Sequence, residues 1–413
     1  MRAIDLGEIV VDTLAAPQRS LRVACVTETY PPEINGVALT LARVVEGLHQ
    51  RNHEVQLIRP RQARPDAARH QVGIQEILMR GMSIPCYSNL RLGLPAKAAL
   101  VRCWSRQRPD VVHIATEGPL GWSALQAARH LKLPVSSDFR TNFHAYSRHY
   151  GIGWLHKPIM AYLRKFHNHT QCTMVPTEAL RRELERDGFR RLTVVSRGVD
   201  TSQFSPYRRS PAMRTQWGVA SDDPVIAYVG RLAPEKNLSA LVTTWHAIRV
   251  LQADAKLVVV GDGPMRAQLQ AQCPEAIFTG QRSGDDLAAH YASADLLLFP
   301  SLTETFGNVT AEALASGLAV VAFDYAAAAQ LIRNGENGAL APYDNTPAFV
   351  QAALALARDA TRRRAIGAAA HSGVASLGWS TIVARFEATL HRVIHEAALP
   401  IDAAWLPTRP VAS

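Results

Sequence analysis

Residues 295–323 read DLLLFPSLTETFGNVTAEALASGLAVVAF. An apolar run at 295–299 stops at Pro300, and a second, 318–323, follows a Gly at 317. Between them the spacing of Val309, Ala313 and Leu314 is helical, so the stretch reads as strand, loop, helix and strand. A crossover helix between two fully apolar strands belongs to a parallel sheet covered on both faces. The same alternation extends outward. Strands are expected at 225–229, 256–260 and 276–279 in this half, and at 21–28, 53–58, 110–114, 135–139, 172–175 and 192–195 in the first half. The fold class is therefore α/β, with two Rossmann-like doubly wound domains facing across a cleft.

The expected divisions are a flexible N-terminus at 1–17, a first domain at 18–205 and a second at 206–378. A final helix at 379–397 precedes a tail at 398–413. The linker is RGVDTSQFSPYRRSPAM at 197–213, rich in Gly, Pro, Ser and Arg.

Within the quoted stretch Glu304 lies in the loop and Glu312 inside the helix, which is expected to start near Phe306 or Gly307. At ~1.5 Å rise per residue, the second carboxylate lies about 8 Å along the axis from the helix start. Two acceptors so placed, with the amides of a helix N-terminus between them, suit a ligand with hydroxyls at both ends and phosphate in the middle. A nucleotide sugar has that layout; a capping and a surface glutamate are the plainer alternative. Strand PVIAYVG, ending at Gly230, runs into RLAPEKN, which sets Arg231 and Lys236 beside a strand's carboxyl end. Taken alone this is either a phosphate site or a solvated basic loop. In VVVGDGP, Gly261 and Gly263 flank Asp262; the turn either opens room for a ligand or is an ordinary turn, and the dinucleotide spacing is absent. In TETYPPEINGV, Gly36 opens the first helix, where it either admits a ligand to the backbone or serves a plain turn. RTNFHAYSRHYG follows strand PVSSDF and offers Arg140 and His144 as cleft-facing groups, with His149 and Tyr150 behind them.

These elements together resemble the family-4 retaining glycosyltransferases of the GT-B fold. The resemblance rests on YPPEINGV, RGVD, GRLAPEKN, VVGDGP, the spaced glutamates, ASGLAVVA and NGENG. TNFHAYSRHYG and FDYAAA bring the chain nearest the GDP-mannose-dependent α-mannosyltransferases and related diacylglycerol glycosyltransferases. The resemblance implies that Arg231 and Lys236 hold the donor diphosphate, Glu304 the transferred sugar and Glu312 the ribose. Amides around Phe306, Gly307 and Asn308 face sugar and phosphates. It also implies retention by same-face substitution with no enzyme nucleophile, a first domain that takes the acceptor, a second that takes the nucleotide-sugar donor, and a final helix at 379–397 that crosses back to the first domain. Relatives often carry a histidine where Arg140 stands, a Gly-Gly pair at Gly36, and glycines in place of Ala326–Ala329.

The expected partners are a nucleotide-sugar donor and a lipid or glycan acceptor. No cofactor and no metal is expected, since no Asp-x-Asp pair is placed for one and Arg231 with Lys236 can substitute electrostatically. The donor is expected to be GDP-mannose. The alternatives are a UDP-sugar moved onto diacylglycerol, or a non-catalytic protein that binds sugar nucleotides or membranes.

Composition narrows the classes further. With 47% hydrophobic and 19% charged residues over 413, the chain is not disordered. No apolar run approaches the ~18 residues of a spanning helix. Asp5, Glu8 and Asp12 stand where a secretory signal would be basic and then apolar. Five scattered cysteines without a Cys-x-x-Cys pair fit a reducing cytoplasm.

The net charge of +10 is unevenly spread. Residues 1–200 carry 28 basic and 17 acidic side chains, and residues 201–413 carry 17 and 18. An anionic membrane surface is one candidate for the first half. The helix over 151–169 sets Leu155, Ile159, Tyr162, Leu163 and Phe166 on one stripe and Lys157, Arg164, Lys165 and His167 on the other. Burial of that stripe in the domain core is the alternative. Arg51, Arg59, Arg61, Arg64 and Arg69 form a second basic cluster. Nucleic acid is not expected, since neither a stacking platform nor a reading helix accompanies the arginines.

Overall fold

The computed structural model describes residues 19–33, 35–62, 68, 70–84, 87–140, 156–219 and 223–398. Among them, eight strands form the first sheet, in the order Leu192–Val194, Cys172–Val175, Val135–Asp138, Val111–Ile114, Arg22–Val26, Glu54–Pro60, Ile74–Met79, His70–Gln71. All pairs are parallel except the last. The second sheet is parallel throughout, in the order Ile277–Gly280, Lys256–Val260, Val225–Val229, Leu296–Phe299, Ala319–Phe323, Ala339–Ala341.

The central strands of the second sheet are apolar along their length because helices cover both of its faces. In the second sheet Ala227, Leu297 and Val320 point to one core and Ile226, Leu296 and Val321 to the other. Four features are not expected from the sequence: Ile74–Met79, its antiparallel neighbour His70–Gln71, the antiparallel pair of Gly81–Ile84 with Tyr87–Gly93, and the edge strand Ala339–Ala341. In each, polar residues, glycines or a short length break the apolar run.

Each sheet has a point where strand order reverses, and ligands bind outside the carboxyl ends there. In the first sheet it lies beside Arg22–Val26, flanked by Glu54–Pro60 and Val111–Ile114; in the second it lies between Val225–Val229 and Leu296–Phe299. The two crossings between the domains run side by side. Val199 N–H donates to Leu377 O at 2.9 Å, and a bridge joins Val199 to Gly378.

The last helix, Trp379–Ala398, follows the second domain but packs on the first. Its Ile382, Val383, Phe386, Leu390 and Val393 are buried, and all but Ile382 share a core with Leu41, Val44, Val45 and Leu48 of helix Gly36–Gln50. A Cβ at Gly47 would stand 2.5 Å from Val383 Cγ2, so the glycine sets how closely the two helices approach. Polar contacts fix the register: Glu387 accepts from Arg51 Nε at 2.6 Å and stands 2.8 Å from His53 Nε2.

Two expectations about the basic surface fail. His167, placed on the solvent side of its helix His156–His167, is fully buried, against Ser137 Oγ at 2.9 Å and Glu117 Oε1 at 3.2 Å. Leu163 and Phe166 are buried as well, so the stripe serves the core and only Tyr162 of it is exposed. At 100° per residue His167 adjoins Phe166, and the buried arc widens to include it. Arg59 is buried and paired with Glu76 at 3.0 Å, and Arg51 is tied to Glu387, so neither belongs to a free basic cluster. Leu155, Arg64 and Arg69 lie outside the described residues.

Helix Ala326–Leu331 begins on a non-glycine residue at φ 52°, Ala326. An L side chain in this region costs about 1–2 kcal/mol. Ala326→Gly relieves that cost and gives part of it back as unfolded-chain entropy. The expected outcome is a melting temperature higher by about 2 °C, at the low end of the shift per kcal/mol in a domain of this size; a lower value refutes it.

Candidate active site

Strand Val225–Val229 ends at Gly230, and Arg231 follows with its side chain exposed. The chain then makes one tight turn, Pro234–Lys236, and Asn237 at φ 52° leads into helix Leu238–Leu251. The neighbouring strand Leu296–Phe299 delivers a second loop against the first. Thr303 Oγ1 donates to Glu235 O at 3.0 Å, and Ser301 Oγ to Glu304 Oε1 at 2.7 Å. Lys236 donates to the same Glu304 oxygen. The cation expected for phosphate and the carboxylate expected for sugar thus neutralise each other, both mostly shielded from solvent.

Gly307, at φ 95°, turns the chain into helix Asn308–Ala315. The first amides of a helix lack an acceptor within it, which leaves donors for an anion. Phe306 buries its ring below, and its carbonyl accepts from Ala327 N–H at 2.7 Å. Glu312 stands one turn further along and accepts from Tyr291 Oη at 2.9 Å. Burial pushes its carboxyl up from 4.5 to about 7, which the tyrosine bond only partly opposes.

The glycines at the strand ends face protein. A Cβ on Gly261, at φ 141°, would stand 1.9 Å from Gly230 O, so this glycine lets two strand-end loops touch. Asp262 is exposed and engages Gly263 N–H at 2.8 Å and Arg266 Nη1 at 3.3 Å. Gly36 heads helix Gly36–Gln50, whose first amides are capped by Asn35: Val37 N–H at 3.1 Å and Ala38 N–H at 2.9 Å donate to Asn35 Oδ1. A Cβ on Gly36 would lie 3.2 Å from Arg197 Nη1 and 3.8 Å from Asn308 Nδ2. A side chain at Gly36 or Gly261 would therefore meet protein atoms, and Gly36 marks where the two domains meet.

Arg140 is buried and clamped by Asp138, two residues before it. Asp138 also meets His113 Nε2 at 3.0 Å, and His113 Nδ1 meets Ser136 Oγ at 3.0 Å. Burial alone would raise the Asp138 carboxyl, yet Arg140 and His113 hold it down at about 2. Arg140 is thus a fixed cation whose charge is balanced locally. His144, His149 and Tyr150 lie outside the described residues.

One buried residue of this region was not singled out in the sequence. Arg197, in the first crossing between the domains, is 7% exposed. Its Nη1 donates to Asn308 Oδ1 at 3.3 Å, and its guanidinium lies 6.0 Å from the Phe306 ring centroid. Its signal in the sequence is its place in RGVD, which belongs both to the linker and to the motifs that carry the resemblance.

Two family models match the chain: Glycosyltransferase Family 4 over residues 34–203, and Glycosyl transferases group 1 over residues 223–359. The chain is 33% identical over 378 residues to a GDP-mannose-dependent alpha-mannosyltransferase of Mycolicibacterium smegmatis, covering 90% of this chain and 98% of that protein. It is 26% identical to an alpha-monoglucosyldiacylglycerol synthase of Streptococcus pneumoniae, over 81% of this chain and 79% of that one. Among solved structures, sucrose-phosphate synthase from Thermosynechococcus elongatus matches with a TM-score of 0.75 at 18% identity. The match covers 92% of this chain and 100% of that one. At that identity the likeness concerns architecture, which is GT-B.

Proposed function

This chain belongs to the family-4 glycosyltransferases, and from that premise we propose that it moves mannose from GDP-mannose onto a lipid or glycan hydroxyl with retention of configuration. The observation that carries the reading is the Lys236–Glu304 pair at the sheet's switch point, one short loop from the start of helix Asn308–Ala315. A nucleotide sugar exchanges partners there. The diphosphate takes Lys236 and Arg231, and the carboxylate of Glu304, released from Lys236, accepts sugar hydroxyls. Glu312 accepts from the ribose, and the amides around Phe306, Gly307 and Asn308 face sugar and phosphates. Each charged hydrogen bond contributes about 1.5–3 kcal/mol, most usefully as charge builds on the leaving group.

No carboxylate is assigned as a nucleophile. The anomeric C–O bond to the diphosphate breaks, and the acceptor oxygen bonds to the same face. The acceptor proton passes to the departing phosphate oxygen. The two cations stabilise that departure without a metal ion, so a chelator leaves turnover unchanged.

The relatives favour GDP-mannose, since the M. smegmatis protein at 33% identity bears that donor in its name. The name of the S. pneumoniae relative supports a second reading, a hexose moved onto a diacylglycerol lipid. A donor panel decides. GDP-mannose is expected to raise the melting temperature and to be slowly hydrolysed, with or without chelator. Response to UDP-sugars alone selects the second reading, and response to no nucleotide sugar removes both.

Peripheral contact with an anionic bilayer accompanies either reading. Among the described residues no helix is long and apolar enough to cross a membrane. The first 200 residues hold the charge excess. Exposed Leu94 and Tyr162 stand near the carboxyl end of the first sheet, where Gly93 N–H meets Glu28 and Tyr162 Oη meets Glu117 O. Flotation with anionic vesicles exceeding that with neutral ones is expected; equal, negligible flotation on both removes this element.

A further inference from the structure

Four cations belong to the floor and junction of the cleft: Arg140, Arg197, Arg231 and Lys236. Arg140 is matched by Asp138 and Lys236 by Glu304. Among the described residues Arg197 and Arg231 have no carboxylate in ion-pair contact. Arg231 is exposed and water can solvate it. Arg197 is not, since it is more than nine-tenths buried and its Nε has no hydrogen-bond partner. An unpaired buried charge and an orphaned donor are both costly, and at the junction of the two domains an anionic ligand would supply what is missing.

Its surroundings specify the ligand's charge. Arg197 Nη1 lies against Gly36, the first residue of one domain's helix, and bonds Asn308, the first residue of a helix of the other. Two positive helix ends and an uncompensated guanidinium converge on one place from three parts of the chain. The charge balance has the same sense. With each carboxylate spent on its own cation, Arg197 and Arg231 are left over, and a nucleotide sugar's diphosphate brings one negative charge on each phosphoryl group. Burial and the nearby Arg140 depress the Arg197 guanidinium to about 9, against the pull of Asp138 and Glu304, as befits a cation short of anions.

We propose that Arg197 is a further catalytic residue, a guanidinium supplied by the domain crossing that binds the phosphoryl group nearer the transferred sugar and holds it as the diphosphate leaves. The assignment rests on the nucleotide-sugar reading above. Arg231 and Lys236 reach the diphosphate from the second domain, and Arg197 meets it from the junction. Its planar fork keeps Asn308 on Nη1 while Nε and the second terminal nitrogen donate to phosphate oxygens. Because Arg197 stands two residues from Val199, which bonds the return crossing, its position is coupled to the domain arrangement.

The test compares GDP with GMP, which differ by that phosphoryl group. Wild-type protein is expected to bind GDP far more tightly than GMP. Arg197→Gln is expected to weaken GDP about ten- to hundredfold and GMP less than about threefold, with kcat falling alongside. Arg197→Lys, which keeps charge without the fork, is expected to fall between them and stands in should the glutamine variant not fold. An unchanged GDP-to-GMP ratio in the folded variant overturns the proposal, as does a rise in acceptor KM with GDP affinity unmoved. Equal loss for both nucleotides marks a residue that merely holds the domains together and also overturns it. Wild-type protein that binds no guanine nucleotide sends the failure back to the donor assignment rather than to Arg197.

Discussion

Lys236→Ala is expected to fold normally and to lose about three orders of magnitude in kcat/KM. Two effects act together. The variant lacks the cation that meets the diphosphate, worth about 1.5–3 kcal/mol as a charged hydrogen bond. It also leaves Glu304 ionised without its partner, mostly shielded and next to where the diphosphate must enter. The second effect gives the prediction its signature. In Lys236→Ala/Glu304→Gln the residual anion is gone, so donor binding recovers part of the loss although the sugar contact is impaired. The two substitutions are therefore non-additive in donor affinity. Melting temperatures with and without donor, beside initial rates, give each quantity. Near-wild-type turnover in the single variant sinks the diphosphate role.

Glu312→Gln is expected to give a more stable and nearly inactive protein at pH 8. As an acceptor for ribose hydroxyls Glu312 must be ionised, so wild-type donor affinity rises as pH passes through about 7. The sign for stability is opposite. In the unfolded chain the carboxyl releases its proton near 4.5, whereas in the folded state it keeps it until about 7. The folded state thus binds more protons across that window, and stability falls as pH rises through it. Glutamine removes the cost of ionising a buried carboxyl. The variant's melting temperature is expected to match wild type at pH 5 and exceed it at pH 8. Glu28, also raised to about 7 by burial despite the amides of Gly93, Leu120 and Gly121, contributes a slope of the same sign that the variant retains. A variant less stable than wild type at pH 8 contradicts the burial argument; undiminished donor affinity contradicts the ribose role.

Which parts were legible in the sequence follows from the range of the forces involved. The βαβ alternation is a local pattern, and the strands expected from it appear within a residue or two of their places, whereas Ile74–Met79 and Ala339–Ala341, also parallel, are not legible in it. Arg231, Lys236, Glu304 and Glu312 stand out as candidates because a strand end and a helix start are themselves local signals, and the structure sets Lys236 against Glu304. What escaped depends on contacts distant along the chain. Arg197 is 111 residues from Asn308, and nothing around RGVD distinguishes a buried arginine from a solvated one. Gly261 looked like ligand space because the sequence does not show that Gly230 O fills it. His167 was assigned to solvent by a helical wheel that cannot see Glu117, 50 residues earlier.

The placement of the last helix bears on how such enzymes can be recombined. Trp379–Ala398 is translated after the second sheet yet completes the apolar core of the other unit, with Phe386 against His113 and Glu387 on Arg51 and His53. A chimaera that exchanges second halves by a single cut in the linker imports a foreign closing helix. That helix must then fit Gly47, which admits Val383 only at close range. A viable exchange takes two cuts, one near Val199 and one near Gly378, where the strands already run together. The piece between those cuts is the unit to exchange, and helix Trp379–Ala398 stays with the first sheet that it covers.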